Sequence, residues 1–404
     1  MILLKIFYIL ILIIFPFGQL TKLPLGISEI NIYFQDIILG ILVISWIIWH
    51  LITRRPLLKT PITKPIILFI IVAIFSLITN FLRFSQKEMI IASLYLVRWG
   101  IFTSIYFITF EMVNFHFIDQ SKIKWMLIYV GTTTAIFGLG QYILYPNLRN
   151  LFYLGWDPHY FRVFGTFFDP GFIGVIIILT IILLMDCITK ITIHEQFYRN
   201  ACFLLLTICY VVLALTYSRS CYLAFITGMG VISWFKRNPK IILTAMLIII
   251  TTIIVLPRPA GSEGVKLERG ETIWGRLQNW KQSIIIFKNN PLLGVGFNTY
   301  RYVQKNYGYI NQEDWQTSHS GAGADSSLLF ILATTGICGL ISYLLLIYYI
   351  LIYHIRNVTV ISSIVVVLVS SWFANSLFYP WIMLWMWILI GIQVKSTVSR
   401  SIRK

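Results

Sequence analysis

Runs of about 20 apolar residues, each long enough to cross the hydrocarbon core of a bilayer as a helix, recur along nearly the whole of this chain. Twelve can be read, near residues 2–18, 33–52, 65–82, 89–112, 122–145, 171–189, 201–217, 220–236, 240–256, 326–353, 357–375 and 380–395. In lipid every backbone polar group needs a partner within the protein, so such segments fold as helices and the helices as a bundle. The expected fold is all-α: a polytopic membrane helical bundle of about twelve transmembrane helices, with one large external loop containing short amphipathic helices. Residues 1–256 hold spans one to nine, 257–325 the external segment, and 326–404 spans ten to twelve with a tail. The first run lacks a small-residue cleavage site and contains Pro16-Phe17, so it reads as a retained span.

The formal net charge of +17 invites a nucleic-acid reading. In a membrane chain, however, the side of the bilayer that holds the Lys and Arg is the first question. With the N-terminus inside, Arg54, Arg55, Lys59, Lys64, Lys122, Lys124, Lys190, Arg199, Lys236, Arg237, Lys240 and Arg356 fall on cytoplasmic loops, and Lys395, Arg400, Arg403 and Lys404 on a cytoplasmic tail. The opposite short loops carry little beyond Lys22, Arg83 and Lys87. This bias puts both termini in the cytoplasm and the segment 257–325 outside. That segment's own eight Lys and Arg do not oppose the assignment, because long loops translocate largely regardless of charge. No nucleic-acid partner is expected.

Cys187, Cys202, Cys209, Cys221 and Cys338 lie in or at apolar runs without Cys-x-x-Cys spacing, so free buried thiols are expected rather than a metal or disulfide framework. Acidic residues are sparse and form no Asp-x-Asp pair that would hold Mg²⁺ against a nucleotide phosphate. No cofactor is expected.

Spans six, eight and ten run from outside to inside. Their N-termini, with unpaired N–H groups and the positive end of the helix dipole, face the external surface, a geometry suited to anions. Each is preceded by a polar motif: Arg162-Val-Phe-Gly-Thr-Phe-Phe-Asp169-Pro170-Gly171, then Thr216-Tyr-Ser218-Arg219-Ser220, then Asp325-Ser326-Ser327. The coincidence suggests one shared site. Asp169 and Asp325 also read simply as helix caps, and Arg219 as an interfacial arginine. A guanidinium among outward helix starts supplies planar paired donors suited to a phosphate or pyrophosphate.

In the external segment Ile273, Leu277, Trp280, Ile284 and Phe287 recur at three- and four-residue steps, with Arg276, Lys281 and Lys288 interleaved, as in an amphipathic helix lying on a membrane. Asn290-Pro291 ends it and Gly294-Val-Gly296 makes a turn. Arg98 lies in mid-span and should face the bundle interior or a polar cavity, whether paired structurally or bound to substrate. His319 is the one histidine of the segment and a candidate general base, although a lone loop histidine also reads as solvated.

These motifs together resemble the O-antigen ligase and polysaccharide polymerase superfamily. The resemblance rests on Arg162-Val-Phe-Gly-Thr-Phe-Phe-Asp-Pro, Leu215-Thr-Tyr-Ser-Arg219-Ser, Arg276-x3-Trp280 leading to Asn290-Pro-Leu-Leu-Gly-Val-Gly296-Phe, and Asp325-Ser-Ser-Leu-Leu leading to Thr335-Gly336-Ile-Cys-Gly339-Leu. It covers about residues 160–340; the N-terminal half matches in hydropathy alone. It implies a metal-independent membrane glycosyltransferase in which an acceptor sugar hydroxyl displaces a glycan from an undecaprenyl pyrophosphate carrier. Arg162, Arg219 and Arg276 would hold the pyrophosphate as leaving group. Candidate catalytic residues are Arg219, Arg162, Asp325 and His319. Arg276, Ser218, Ser220, Asp169, Arg98 and Arg301 are candidates for holding pyrophosphate or glycan. Ligases of the family usually carry histidine at the position of Asp325, eleven residues before Gly336, and polymerases more often tolerate Asp there. The preferred expectation is therefore a polymerase of lipid-linked repeat units, with a ligase to lipid A core as alternative. Asp325 is then a base or an orienter of the acceptor, and the helix dipole should lower its basicity. Expected partners are the lipid-linked donor, the glycan acceptor and the bilayer, with a chain-length regulator and a flippase as further partners. A lipid-linked glycan flippase remains the rival of another class. It would place ionisable residues at mid-membrane on broken helices, commonly in two matching halves, and no such repeat is seen here.

Overall fold

The structure, a computed structural model, describes residues 2–24, 30–191, 195–310, 315–316 and 323–392, the side chains of 271 and 272 excepted. His319 and the basic tail from Lys395 to Lys404 lie outside the described residues. The chain forms α1 (Ile2–Ile14), α2 (Phe34–Thr53), α3 (Thr63–Thr79), α4 (Gln86–Asn114), α5 (Gln120–Leu144), α6 (Pro170–Ile188), α7 (Gln196–Leu215), α8 (Arg219–Lys236) and α9 (Lys240–Val255). After these come α10 (Glu271–Asn289), α11 (Tyr300–Asn306), α12 (Ser327–Tyr353), α13 (Val358–Ser370) and α14 (Pro380–Ile392).

The twelve apolar runs correspond to α1–α9 and α12–α14. Seven helices, those beginning at Ile2, Phe34, Gln86, Gln120, Pro170, Gln196 and Ser327, are long and apolar enough to cross a membrane by length and composition. α3, α9, α13 and α14 are apolar but shorter. The bundle is helical and polytopic, with seven spans supported by length and composition among the described residues against about twelve expected. α6 and α14 are apolar on all sides and buried along almost their whole lengths, as central helices should be. α6 packs between α5, α7, α8 and α13, and α14 lies along α4.

Arg98, in the middle of α4, has a partner that its own sequence neighbourhood does not reveal. Its Nε and Nη2 donate to Oδ1 and Oδ2 of Asp36 at 2.9 and 2.8 Å, and the guanidinium lies over the rings of Tyr33, Tyr95 and Phe102. Asp36 sits in the first turn of α2 and also accepts from the Tyr33 N–H, so one carboxylate caps α2 and neutralises α4. At the other end of the same two helices, Glu111 Oε2 accepts from Trp46 Nε1 and pairs with His50 Nε2, at 2.7 and 2.8 Å.

Two expected continuous spans are interrupted. α1 gives way at Phe15 to a 3-10 stretch that turns at Gly18, φ 51°. α12 is broken at Gly336, φ 65° and ψ −165°, a region open essentially to glycine alone. A break frees backbone groups that need partners within the protein. The turn after α10 supplies them: Val295 and Gly296 N–H donate to the carbonyls of Ala333 and Thr334, and Pro291 and Leu292 carbonyls accept from Ile337 and Cys338. Ser76 of α3 donates to the carbonyls of Leu293 and Thr334 at 2.6 and 2.8 Å, and Asn80 donates to that of Gly294. Gly294-Val-Gly296 is thus a tertiary joint, more than the simple turn that its sequence suggests.

α10 confirms the expected helix and shows which side faces inward. Ser283 and Ile286 are buried and Arg276 partly so, while Ile273, Trp274, Leu277 and Ile284 are exposed. Of the apolar stripe, Ile273, Leu277 and Ile284 point away from the protein while Trp280 and Phe287 are half-buried, and α10 packs on α12. All five cysteines are free; Cys202, Cys209 and Cys221 are buried as expected, whereas Cys187 is half-buried and Cys338 exposed.

Candidate active site

The three motifs converge because their helices begin at one end of the bundle. The first turns of α6 and α8, Asp325 two residues before α12, and the first residue of α14 surround a cavity of about 750 Å³. Arg162, Asp169, Ser218, Arg219, Ser220, Arg276, Arg301, Asp325 and Arg98 all line it. His319, the remaining candidate, lies outside the described residues.

Arg162 is held by the loop between α5 and α6. That loop is fixed by an isolated bridge between Asn147 and Tyr160, by Gln141 Oε1 accepting from the Phe164 and Gly165 N–H groups, and by Val163 N–H donating to the Leu215 carbonyl. The Arg162 side chain then donates from Nε to the Thr216 carbonyl at 2.9 Å and from Nη2 to that of Tyr217. Arg219 opens α8 behind the N-cap Ser218, and its Nη1 donates to the carbonyls of Leu267 and Arg269 at 3.0 and 3.2 Å. Arg276 comes from α10 with its guanidinium 5.8 Å from the Phe373 ring, and Arg301 donates to the Gln316 carbonyl.

The cost of gathering these cations is visible in their basicity. Burial, then the neighbouring Arg269, brings the Arg162 side chain down to about 9, and burial with Arg219 and Arg276 nearby brings Arg269 down to about 10. Both stay charged at neutral pH. Such a cluster is relieved by a bound polyanion, and planar donor forks on a fixed scaffold match phosphate oxygens.

The carboxylates behave differently from one another. Asp169 is a cap as well as a cavity residue: its Oδ1 accepts from the Gly171 and Phe172 N–H groups at 2.7 and 2.9 Å. Asp325 is not the cap of α12; that role falls to Ser326, whose hydroxyl accepts from the Leu329 N–H. The expectation that a helix dipole lowers Asp325 is overturned. Burial raises it from 3.8 to about 6 against the pull of Arg276, with Asp157 and Asp169 adding to the rise. A carboxyl group in that range takes and returns a proton near neutral pH.

Sequence reading missed Arg269, Asp157 and His159, which also line the cavity. Burial and the facing arginines hold His159 well below its usual value, and burial raises Asp157. One class of signal surrounds the site: Phe161, Phe168, Tyr217 and Asn298 all have left-handed backbones, φ 52°, 57°, 49° and 61°. Non-glycine residues in that region carry strain that cavities and ligand clamps tend to hold. No local sequence pattern announces it.

Residues 202–344 match the model of the O-antigen ligase family. The matched stretch runs from α7 into α12 and contains Arg219, Arg269, Arg276, Arg301 and Asp325 of the cavity. The O-antigen ligase match supports a place in the O-antigen ligase and polymerase superfamily, and with it a ligase- or polymerase-type function; it does not separate the two. No curated protein matches the chain.

Proposed function

We propose that the protein is a membrane polysaccharide polymerase that joins undecaprenyl-pyrophosphate-linked oligosaccharide repeat units on the outer face of the bacterial cytoplasmic membrane. The observation that carries this reading is the convergence of Arg162, Arg219 and Arg276 with Asp325 on one cavity at the helix starts. In the step envisaged, an acceptor sugar hydroxyl attacks the anomeric carbon of the donor. The new glycosidic C–O bond forms as the bond to pyrophosphate breaks, the electron pair leaves with the pyrophosphate lipid, and the hydroxyl proton passes to Asp325. The arginines stabilise the charge that grows on the leaving group, and the chemistry needs no metal. The Lys and Arg distribution supports cytoplasmic termini and an external cavity.

The ligase is the second reading, favoured by the family description itself. Against it stands Asp325 where ligases usually carry histidine. A flippase is less well supported: the break in α12 at Gly336 has its backbone groups satisfied by residues 291–296, and Arg98 is paired with Asp36.

The test is a gel profile of surface and lipid-linked glycans from a strain lacking this gene, complemented with wild type or Arg219→Ala. Single repeat units at the surface support the polymerase. Long polymer held on the lipid carrier assigns the ligase, and single units trapped on the cytoplasmic leaflet assign a flippase. Normal chain length from the Arg219→Ala strain overturns the pyrophosphate role of that residue.

A further inference from the structure

The segment between α9 and α10 crosses over two of the cavity arginines, with the backbone of Gly264 against Arg162 and the carbonyls of Leu267 and Arg269 at Arg219. It is fastened first at Pro257, whose carbonyl accepts from the Tyr217 hydroxyl at 2.5 Å, and then at the buried Ser262, whose hydroxyl donates to the Tyr160 carbonyl at 2.5 Å. Gly264 lies directly on the Arg162 side chain: a Cβ there would be 2.8 Å from Arg162 Cδ and 3.6 Å from its Nη1. Val265 is buried and Leu267 packs against the main core. The carbonyls of Leu267 and Arg269 then receive Arg219 Nη1. Arg269 closes the turn on itself, its Nη1 donating to the carbonyls of Gly264 and Lys266.

We propose that residues 262–269 form a strap that sets the geometry of Arg162 and Arg219 for anion binding, with Gly264 and Arg269 as its positioning residues. This rests on the reading of the cavity as a pyrophosphate site. Carbonyl oxygens can orient a guanidinium without cancelling its charge, so the strap fixes direction and leaves the full positive charge for the ligand. Donors held in place before the ligand arrives need no reorganisation when it binds, which is where fixed cations gain over mobile ones. Any side chain at Gly264 must displace Arg162 or lift the strap. A lysine at position 269 keeps the charge but loses the planar Nη1 that donates to both carbonyls.

The experiment titrates the purified full-length protein in detergent with inorganic pyrophosphate, by calorimetry, and melts the same samples. Gly264→Val is expected to weaken binding at least tenfold, Gly264→Ala less, and Arg269→Lys severalfold. Gly270→Ala, where an added Cβ meets no atom within 4 Å, is expected to bind as wild type. Wild-type affinity in both Gly264→Val and Arg269→Lys overturns the strap, as does a lowered melting temperature with unchanged affinity. Arg219→Ala separates the two levels of argument. Loss of binding in Arg219→Ala with retention in the strap variants overturns the strap alone, whereas retention in Arg219→Ala overturns the pyrophosphate site itself.

Discussion

The Cβ that Gly336 lacks would lie 2.2 Å from the carbonyl oxygen of Leu292, so the break in α12 and the turn after α10 can exist only together. The same joint is closed from the other side, where a Cβ on Gly294 would lie 2.4 Å from the carbonyl carbon of Thr334. Through it the helix carrying Arg276 is fixed against the helix that follows Asp325.

Gly336→Ala combines a backbone conformation closed to alanine with a collision against main chain that cannot swing aside. A loss of at least ~3 kcal/mol is expected, seen as poor recovery from membranes and a lower melting temperature in detergent. A Gly336→Ala protein that melts like wild type would show that the joint is not needed.

Arg98 and Asp36 are both about one-sixth exposed, with side-chain values of 17% and 15%, so each is costly to leave alone. Arg98→Ala and Asp36→Ala should each destabilise by roughly 3 kcal/mol, and the double variant by less than the sum. Thermal melts of the four proteins of this cycle measure the coupling. Strict additivity would remove the pair from the stability account and return Arg98 to the list of substrate contacts.

Asp325 predicts a pH profile. Its folded value is raised from 3.8 to about 6, so its contribution to stability is full below the unfolded value and is lost as pH rises through about 6. The form able to accept a proton appears over the same interval. The activity kcat/KM should therefore climb through an apparent pKa near 6, and Asp325→Asn should remove that limb with a loss of about 10²–10⁴-fold. Because Arg276 holds the Asp325 value down, Arg276→Ala should move the limb upward. A limb unmoved by either substitution would separate Asp325 from the chemistry.

Orientation can be read with a membrane-impermeant thiol reagent. Ser262 is a poor probe, being buried and bonded to Tyr160, whereas the Glu263 side chain is 73% exposed. In a Cys338→Ser background, which removes the exposed native thiol, Glu263→Cys should label in intact cells once any outer membrane is permeabilised. Labelling only after the inner membrane is lysed would invert the topology.

The sequence by itself determined the class of fold, because apolar runs of bilayer length leave the backbone no option but helix. It also marked Arg162, Arg219 and Asp325 at the starts of apolar helices, and Arg276 on the amphipathic helix of the external segment. It could not show that Asp36 would neutralise Arg98, that Gly336 would break α12 where hydropathy reads straight through, or that burial would outweigh the helix dipole at Asp325. Arg269 looked like any charge in Glu268-Arg269-Gly270-Glu271. Hydropathy and helix-end patterns are local and survive in one dimension. Ion pairs between helices, carbonyls offered by a distant turn and the desolvation of a carboxyl depend on what packing brings alongside, and only the tertiary structure decided those.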